Sequence, residues 1–174
     1  MNTLSLNLNG LGRGDFKTSW VSNLIHKHKI NFAYIQETKR KHLTDLIVSR
    51  MWGSFDFEFV YQNSVGKGGG LVSIWNKDLF QKNGEIIQRD CIIVYGMWKE
   101  NDKPICFINV YASQNPSTRA DLWNTILSFL NNWDGLTIMC GDFNDVRNRT
   151  REGDPILTKE LPQSSTNSFM IYTL

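Results

Sequence analysis

Cysteine is scarce in this 174-residue chain: there are three, Cys91, Cys106 and Cys140, widely spaced and without any Cys-x-x-Cys pair. An odd, scattered set supports neither a zinc site nor a disulfide framework. Each lies in an apolar run, where a thiol behaves as a small hydrophobe, and a reduced, intracellular setting follows. No apolar run approaches the roughly 18 residues of a membrane span, and the N-terminus lacks the charged-then-apolar build of a signal peptide. An excess of one charge is also lacking. Nineteen Lys and Arg against seventeen Asp and Glu leave a net charge of +2, too little for a general polyanion-binding field, so nucleic-acid contact must rest on local patches. There is no internal repeat and no low-complexity tract. The glycine run Gly66-Lys67-Gly68-Gly69-Gly70 lacks the Ser or Thr and the following helix that a Walker A loop needs. It reads as a flexible entry to a strand, with a backbone approach to DNA as the lesser alternative.

Aromatics are plentiful, with six Trp and ten Phe, which argues for a large buried or stacking surface. The length suits one domain, spanning residues 1–174, with a real core. Strands are expected over Thr3–Leu8, Asn31–Ile35, Phe55–Tyr61, Leu71–Trp75, Cys91–Trp98, Ile105–Val110 and Leu136–Cys140. The turn at Asn101-Asp102-Lys103-Pro104 makes a hairpin of the fifth and sixth. Asp15 is placed to cap a helix running to about His28, with Phe16, Trp20, Val21, Leu24 and Ile25 on one face. A short helix over Leu43–Met51 turns Leu46 and Ile47 inward. Pro116 opens another, burying Leu122, Trp123, Ile126, Leu127 and Leu130. Arg151 to Ser165 reads as a polar loop, and Phe169, Met170, Ile171 and Leu174 as the start of a last helix. His26 and His28 sit with Lys27 and Lys29 at a helix C-terminus, where cations are favoured. Hairpins between helices point to α/β architecture with two packed sheets and helices outside.

The most informative segment is Gly141-Asp142-Phe143-Asn144, directly after the apolar run Leu136-Thr137-Ile138-Met139-Cys140. An apolar strand ending in Gly-Asp delivers a carboxylate to its mouth, and Asn144, two residues on in an extended backbone, points to the same side. A hard oxygen ligand beside a neutral amide suits a divalent cation and a phosphate oxygen. Three other runs end alike: Thr3–Leu8 in Asn7-Leu8-Asn9-Gly10, Asn31–Ile35 in Gln36-Glu37-Thr38, and Ile105–Val110 in Tyr111-Ala112-Ser113. Each alone is equally a strand ending in a turn: Tyr111 as a strand-end aromatic, Asn9 shaping the turn, Asn144 capping the next segment. Glu37 is the hardest to explain structurally, because a carboxylate closing an apolar strand needs a partner. Strands ending at one sheet edge would bring Asn7, Glu37, Tyr111, Asp142 and Asn144 together. Two basic patches lie beside that edge, Lys39-Arg40-Lys41-His42 and Arg147, Arg149 and Arg151. Each is either a solvated turn or a seat for a phosphate backbone.

The ordered set Leu6-Asn7-Leu8-Asn9-Gly10, Gln36-Glu37-Thr38, Asn109-Val110-Tyr111-Ala112 and Gly141-Asp142-Phe143-Asn144 resembles the exonuclease–endonuclease–phosphatase superfamily. Within it, the phrasing is similar to the apurinic-type endonuclease domain of plant LINE-type (non-LTR) retrotransposons. The likeness runs from about residue 3 onward and is loosest after Arg151. It implies a four-layer α/β sandwich of two mostly antiparallel sheets flanked by helices, and a Mg²⁺-dependent (Mn²⁺ serving also) DNA-nicking activity. It implies Glu37 as the metal ligand and Asn7, Tyr111, Asp142 and Asn144 as catalytic residues. Asn9, Lys39, Arg40 and Arg147 become substrate contacts. DNA is the implied partner, a reverse transcriptase domain the implied fusion partner, and the nucleus the place of action. The family also carries a Ser-Asp-His motif near its C-terminus, which this sequence does not contain; its histidines are His26, His28 and His42. The resemblance therefore implies a domain without its C-terminal strands and weak or no nicking. Two alternatives accompany it: a remnant that at most binds DNA, and a phosphoesterase of the same fold acting on small phosphorylated substrates.

Overall fold

The computed structural model of the protein describes residues 1–12, 15–66, 68–144 and, for the backbone, 169–172. Strand β1 (Thr3–Asn7) pairs in parallel with β2 (Phe32–Gln36), and helix α1 (Phe16–Lys27) makes the crossover. After α2 (Asp45–Trp52), strands β3 (Phe57–Gln62) and β4 (Leu71–Asn76) complete a four-stranded sheet in the order β1-β2-β4-β3. A second sheet has the order β5-β6-β7-β8-β9, from β5 (Phe80–Ile87), β6 (Cys91–Trp98), β7 (Lys103–Tyr111), β8 (Leu136–Asp142) and β9 (Phe169–Tyr172). Helix α3 (Pro116–Leu130) is the crossover between the parallel strands β7 and β8. Both sheets are mixed. Each contains one helix-linked parallel pair, β1–β2 and β7–β8, and such pairs necessarily end at the same edge.

Six buried aromatics fill the seam between the sheets. Phe32, Tyr34, Trp75, Phe80, Trp98 and Phe107 are buried there with Ile92, Val94 and Ile138, and the rings of Phe32 and Phe107 stack at 3.9 Å. Strands β2 and β4 are covered on both faces, so they read as nearly continuous apolar runs. On the outer face of the first sheet, Val21 and Ile25 of α1 and Val48, Met51 and Trp52 of α2 close a second core. Helix α3 packs Leu122, Ile126 and Leu130 on the outer face of the second. All three cysteines are buried thiols, and burial pushes Cys91 and Cys106 up to about 12. No helix among the described residues is long and apolar enough to cross a membrane.

Several sequence expectations are corrected. Residues 169–172, expected to begin a helix, form a strand parallel to β8. A four-residue apolar run is too short for periodicity to choose between the two states, and the free ladder of β8 decides. Strand β5 was not expected, because Gln81-Lys82-Asn83-Gly84-Glu85 is polar; it is an edge strand that buries only Phe80. The buried face of α1 carries Thr18, Val21 and Ile25, leaving Phe16 83% and Trp20 44% exposed. Leu46 and Leu127 are likewise exposed rather than inward. Asp15 occupies the N-cap position without a side-chain cap bond; its carboxylate pairs with Arg50 at 2.7 Å.

A buried polar pair crosses the seam. Gln36 Nε2 donates to Asn109 Oδ1 at 2.7 Å, and Asn109 Nδ2 donates to the Val72 carbonyl at 3.0 Å. Both residues are essentially inaccessible. Gln36→Leu leaves a buried acceptor without its donor and should lower unfolding stability by about 1–3 kcal/mol. Gln36→Leu with Asn109→Leu should be non-additive by at least about 0.5 kcal/mol in urea denaturation, since the two share one bond.

Candidate active site

The carboxyl ends of the two parallel pairs meet at one edge. Asn7 ends β1, Glu37 follows β2, Tyr111 ends β7 and Asp142 ends β8, with Tyr111 and Asp142 in register. Packing the sheets face to face therefore sets four polar side chains around one cleft. Asn7 lies at its centre. Its Nδ2 donates to Glu37 Oε1 at 3.1 Å and to Asp142 Oδ2 at 2.8 Å, while its Oδ1 accepts from the Asn9 amide at 2.9 Å. One carboxamide, itself oriented by the next turn, thus holds two carboxylates drawn from different sheets. The Tyr111 hydroxyl donates to Glu37 Oε1 at 2.9 Å, and Lys39 Nζ pairs with Glu37 Oε2 at 3.2 Å.

The backbone here leaves ordinary strand geometry. Asn9, Glu37, Lys39 and Asn144 all have φ between 46° and 52°, and non-glycine residues in that left-handed region cluster at functional sites. Asn144 is consequently not an extended neighbour of Asp142. Its amide N–H donates to Asp142 Oδ1 at 3.0 Å, and its Nδ2 donates to the Ala112 carbonyl at 2.7 Å. The Asp142 carboxylate thus also shapes the turn after β8.

Burial raises the Glu37 carboxyl, but hydrogen bonds from Asn7, Tyr111 and Lys39 and the Lys39 charge outweigh it, leaving its pKa below the ordinary 4.5. A carboxyl depressed in the folded state contributes stability above its unfolded value, and this is lost as pH falls through the folded one. Glu37→Gln should therefore flatten the decline of the urea midpoint on acidification below about pH 4.5. Burial, the bond to Glu37 and the charges of Glu37, Asp142 and Asp90 push Tyr111 up to about 12. Its phenol remains a proton donor at neutral pH.

Of the predicted substrate contacts, Asn9 and Lys39 bond to each other beside Glu37, and Arg40 Nη2 donates to the Gly12 carbonyl at 2.5 Å. Arg147, with Arg149 and Arg151, lies outside the described residues. A cavity of about 240 Å³ opens beside Tyr111 and Asn144, walled by Gly68, Gly70, Arg89, Asp90 and Gln114. The Arg89 and Asp90 wall was not anticipated; nothing in a polar dipeptide before a strand marks it. Gln36 and Asn109 were also missed as supports, although an Asn inside the apolar run Ile105–Val110 is a visible signal. His28 lies at the far end of β1, where its carbonyl accepts from Asn2, and His26 abuts Gly53 between α1 and α2. His42 is exposed.

The donor set suits a hard cation. Among the described residues no group of three His, Cys, Asp or Glu side chains forms a dedicated cage. Glu37 and Asp142, tied by one amide, are what Mg²⁺ uses when it keeps most of its waters and takes the rest of its ligands from phosphate.

No protein-family model and no curated protein matches the chain. Solved structures do resemble it. An endonuclease/exonuclease/phosphatase from Bacteroides vulgatus aligns with a TM-score of 0.61 and 12% identity, over 82% of this chain and 64% of its own. A mannosyl-6-phosphatase from Bacteroides thetaiotaomicron aligns with a TM-score of 0.58 and 15% identity, over 82% and 64%. The human Nocturnin catalytic domain aligns with a TM-score of 0.56 and 13% identity, over 76% and 58%. The chain spans less than two thirds of the length of each of these proteins. It has the α/β-sandwich fold of the endonuclease/exonuclease/phosphatase proteins.

Proposed function

We propose that the cleft hydrolyses phosphodiesters with Mg²⁺, Mn²⁺ serving in its place, and that the substrate is DNA nicked on behalf of a LINE-type retroelement. The observation that carries the reading is the Asn7 amide joining Glu37 to Asp142, with Tyr111 on the same carboxylate. Glu37 would hold the metal, with Asp142 close by. When bound, the cation supplies charge neutralisation for the phosphoryl oxygens. The protein's own groups do the rest. Asn7 fixes the two carboxylates; Tyr111, protonated throughout the physiological range, donates its O–H to a non-bridging oxygen. Asp142 orients the attacking water and accepts its proton at a carboxylate oxygen as the new P–O bond forms; the P–O bond to the leaving sugar oxygen breaks, that oxygen takes a proton from solvent, and Asn144 holds the phosphate. Arg40 and Arg147 are the proposed backbone contacts, with Lys39 and Asn9 nearer the scissile group. The DNA assignment rests on the phrasing of Asn9-Gly10-Leu11-Gly12 and of Gly141-Asp142-Phe143-Asn144-Asp145-Val146-Arg147, which is similar to that of the retroelement endonuclease domains. A fused reverse transcriptase and nuclear action belong to the same proposal.

The test is conversion of supercoiled plasmid to nicked circles in Mg²⁺, run beside mannose 6-phosphate hydrolysis. Nicking that stops on chelation supports the proposal. Faster turnover of the sugar phosphate assigns the site to small phosphoesters, and no metal-dependent turnover of either substrate overturns the hydrolytic reading.

A further inference from the structure

Lys39 is placed where it matters most for a cation entering this cleft. Its ammonium pairs with Glu37 Oε2 at 3.2 Å and also donates to Asn9 Oδ1. The other oxygen of that carboxylate is already engaged by Asn7 and Tyr111. The open side of Glu37, the one a divalent ion would approach, is therefore filled by a fixed positive charge.

The placement is built rather than incidental. The aliphatic stem of Lys39 lies against Gly10, where even a Cβ would come within 3.2 Å of Lys39 Cδ. The Gly10 amide is tied to the Glu37 carbonyl at 2.7 Å, and the Lys39 amide to the Gly69 carbonyl at 3.0 Å. Asn9, Glu37 and Lys39 all adopt positive φ, so both turns are bent to bring the ammonium, the carboxamide oxygen and the carboxylate together. The Lys39 side chain is 35% exposed and that of Glu37 17%; the pair sits in the mouth of the cleft, only partly screened by water.

We infer that Lys39 is a resident cation of the Glu37 site, which a divalent metal must displace. The inference rests on the proposed role of Glu37 as metal ligand. Two cations cannot share one carboxylate oxygen without strong repulsion at contact distance. The intrinsic affinity of Glu37 for the metal is thus masked by the affinity of Lys39 for the same oxygen. Lys39 acts on metal binding through Glu37, and its contribution is read as a change in metal affinity.

The experiment is titration of the purified full chain with Mn²⁺ alone, followed by calorimetry and by the electron paramagnetic resonance of free Mn²⁺. The variants are Lys39→Gln, Lys39→Arg and Glu37→Gln, each checked for folding by circular dichroism. Lys39→Gln should bind Mn²⁺ about tenfold more tightly than the wild type, because the competing charge is gone. Lys39→Arg, which keeps the charge, should stay near the wild type, and Glu37→Gln should bind least. Equal or weaker binding by Lys39→Gln, with binding still lost in Glu37→Gln, overturns the resident cation and leaves the ligand assignment standing. Mn²⁺ binding that Glu37→Gln does not weaken, or no binding by either wild type or Lys39→Gln, overturns the ligand assignment and this inference with it.

Discussion

Gly141→Ala is expected to lower unfolding stability by about 4 kcal/mol or more, the range reached only by clashes, lost networks and similar severe defects. Gly141 has φ +148°, and an added Cβ would lie 2.0 Å from the Val110 carbonyl oxygen and 2.8 Å from its carbonyl carbon. The obstacle is backbone, in a strand paired on both sides, β6 to one flank and β8 to the other. It cannot retreat without opening two ladders. Gly12 is the control: its φ is +72°, with nothing within 4 Å of the added atom, so Gly12→Ala should cost only the left-handed strain, about 1–2 kcal/mol. Thermal or urea unfolding of the two variants measures the contrast. Equal losses would mean that conformation, not contact with Val110, demands glycine before Asp142.

The second large effect concerns turnover. If the cleft cleaves phosphodiesters as proposed, Asp142→Asn should reduce the nicking rate by about 10³, within the span typical of a lost general base. The substitution keeps the shape of the side chain and an oxygen able to accept from the Asn144 amide, which Asp142 Oδ1 does at 3.0 Å. It removes the negative charge and an acceptor for Asn7 Nδ2, now at 2.8 Å. Stability should therefore change far less than activity. Single-turnover nicking and urea unfolding on one preparation separate the two. Retention of half the wild-type rate would remove Asp142 from the proton transfer, and a comparable collapse of both would make it a structural residue.

Much of the site was legible because its residues close apolar runs. Asn7, Glu37, Tyr111 and Asp142 each follow a run that reads as a strand, alternating before Asn7 and continuously apolar before the other three, and a polar group at such a position marks the strand's mouth. Gly141 before Asp142 is also visible in the sequence, though its reason is not: Val110, its clashing neighbour, is distant along the chain and comes close only through parallel pairing. The place of Asn144 was not legible, because extended geometry does not persist past Asp142: the Asp142 carboxylate captures the Asn144 amide and bends the chain. The exposed Phe16, Trp20, Leu46 and Leu127 follow from rotations that helical periodicity leaves open. A sheet face decides which residues of a helix it covers.

What the sequence by itself determined was seven of the nine strands found among the described residues, four of them with polar endings, together with the scattered free cysteines and the aromatic supply for a two-sheet core. Those are local properties, set by the alternation of apolar and polar side chains and by where each run stops. Only the tertiary structure decided that β1–β2 and β7–β8 end at one edge, that a single Asn7 amide joins carboxylates from both sheets, and that Lys39 lies on Glu37. It also decided that 169–172 is a strand, because a short apolar run takes the state that its neighbour's unpaired hydrogen-bonding groups offer. Each of these depends on which surfaces meet, and partners distant along the chain are fixed by packing.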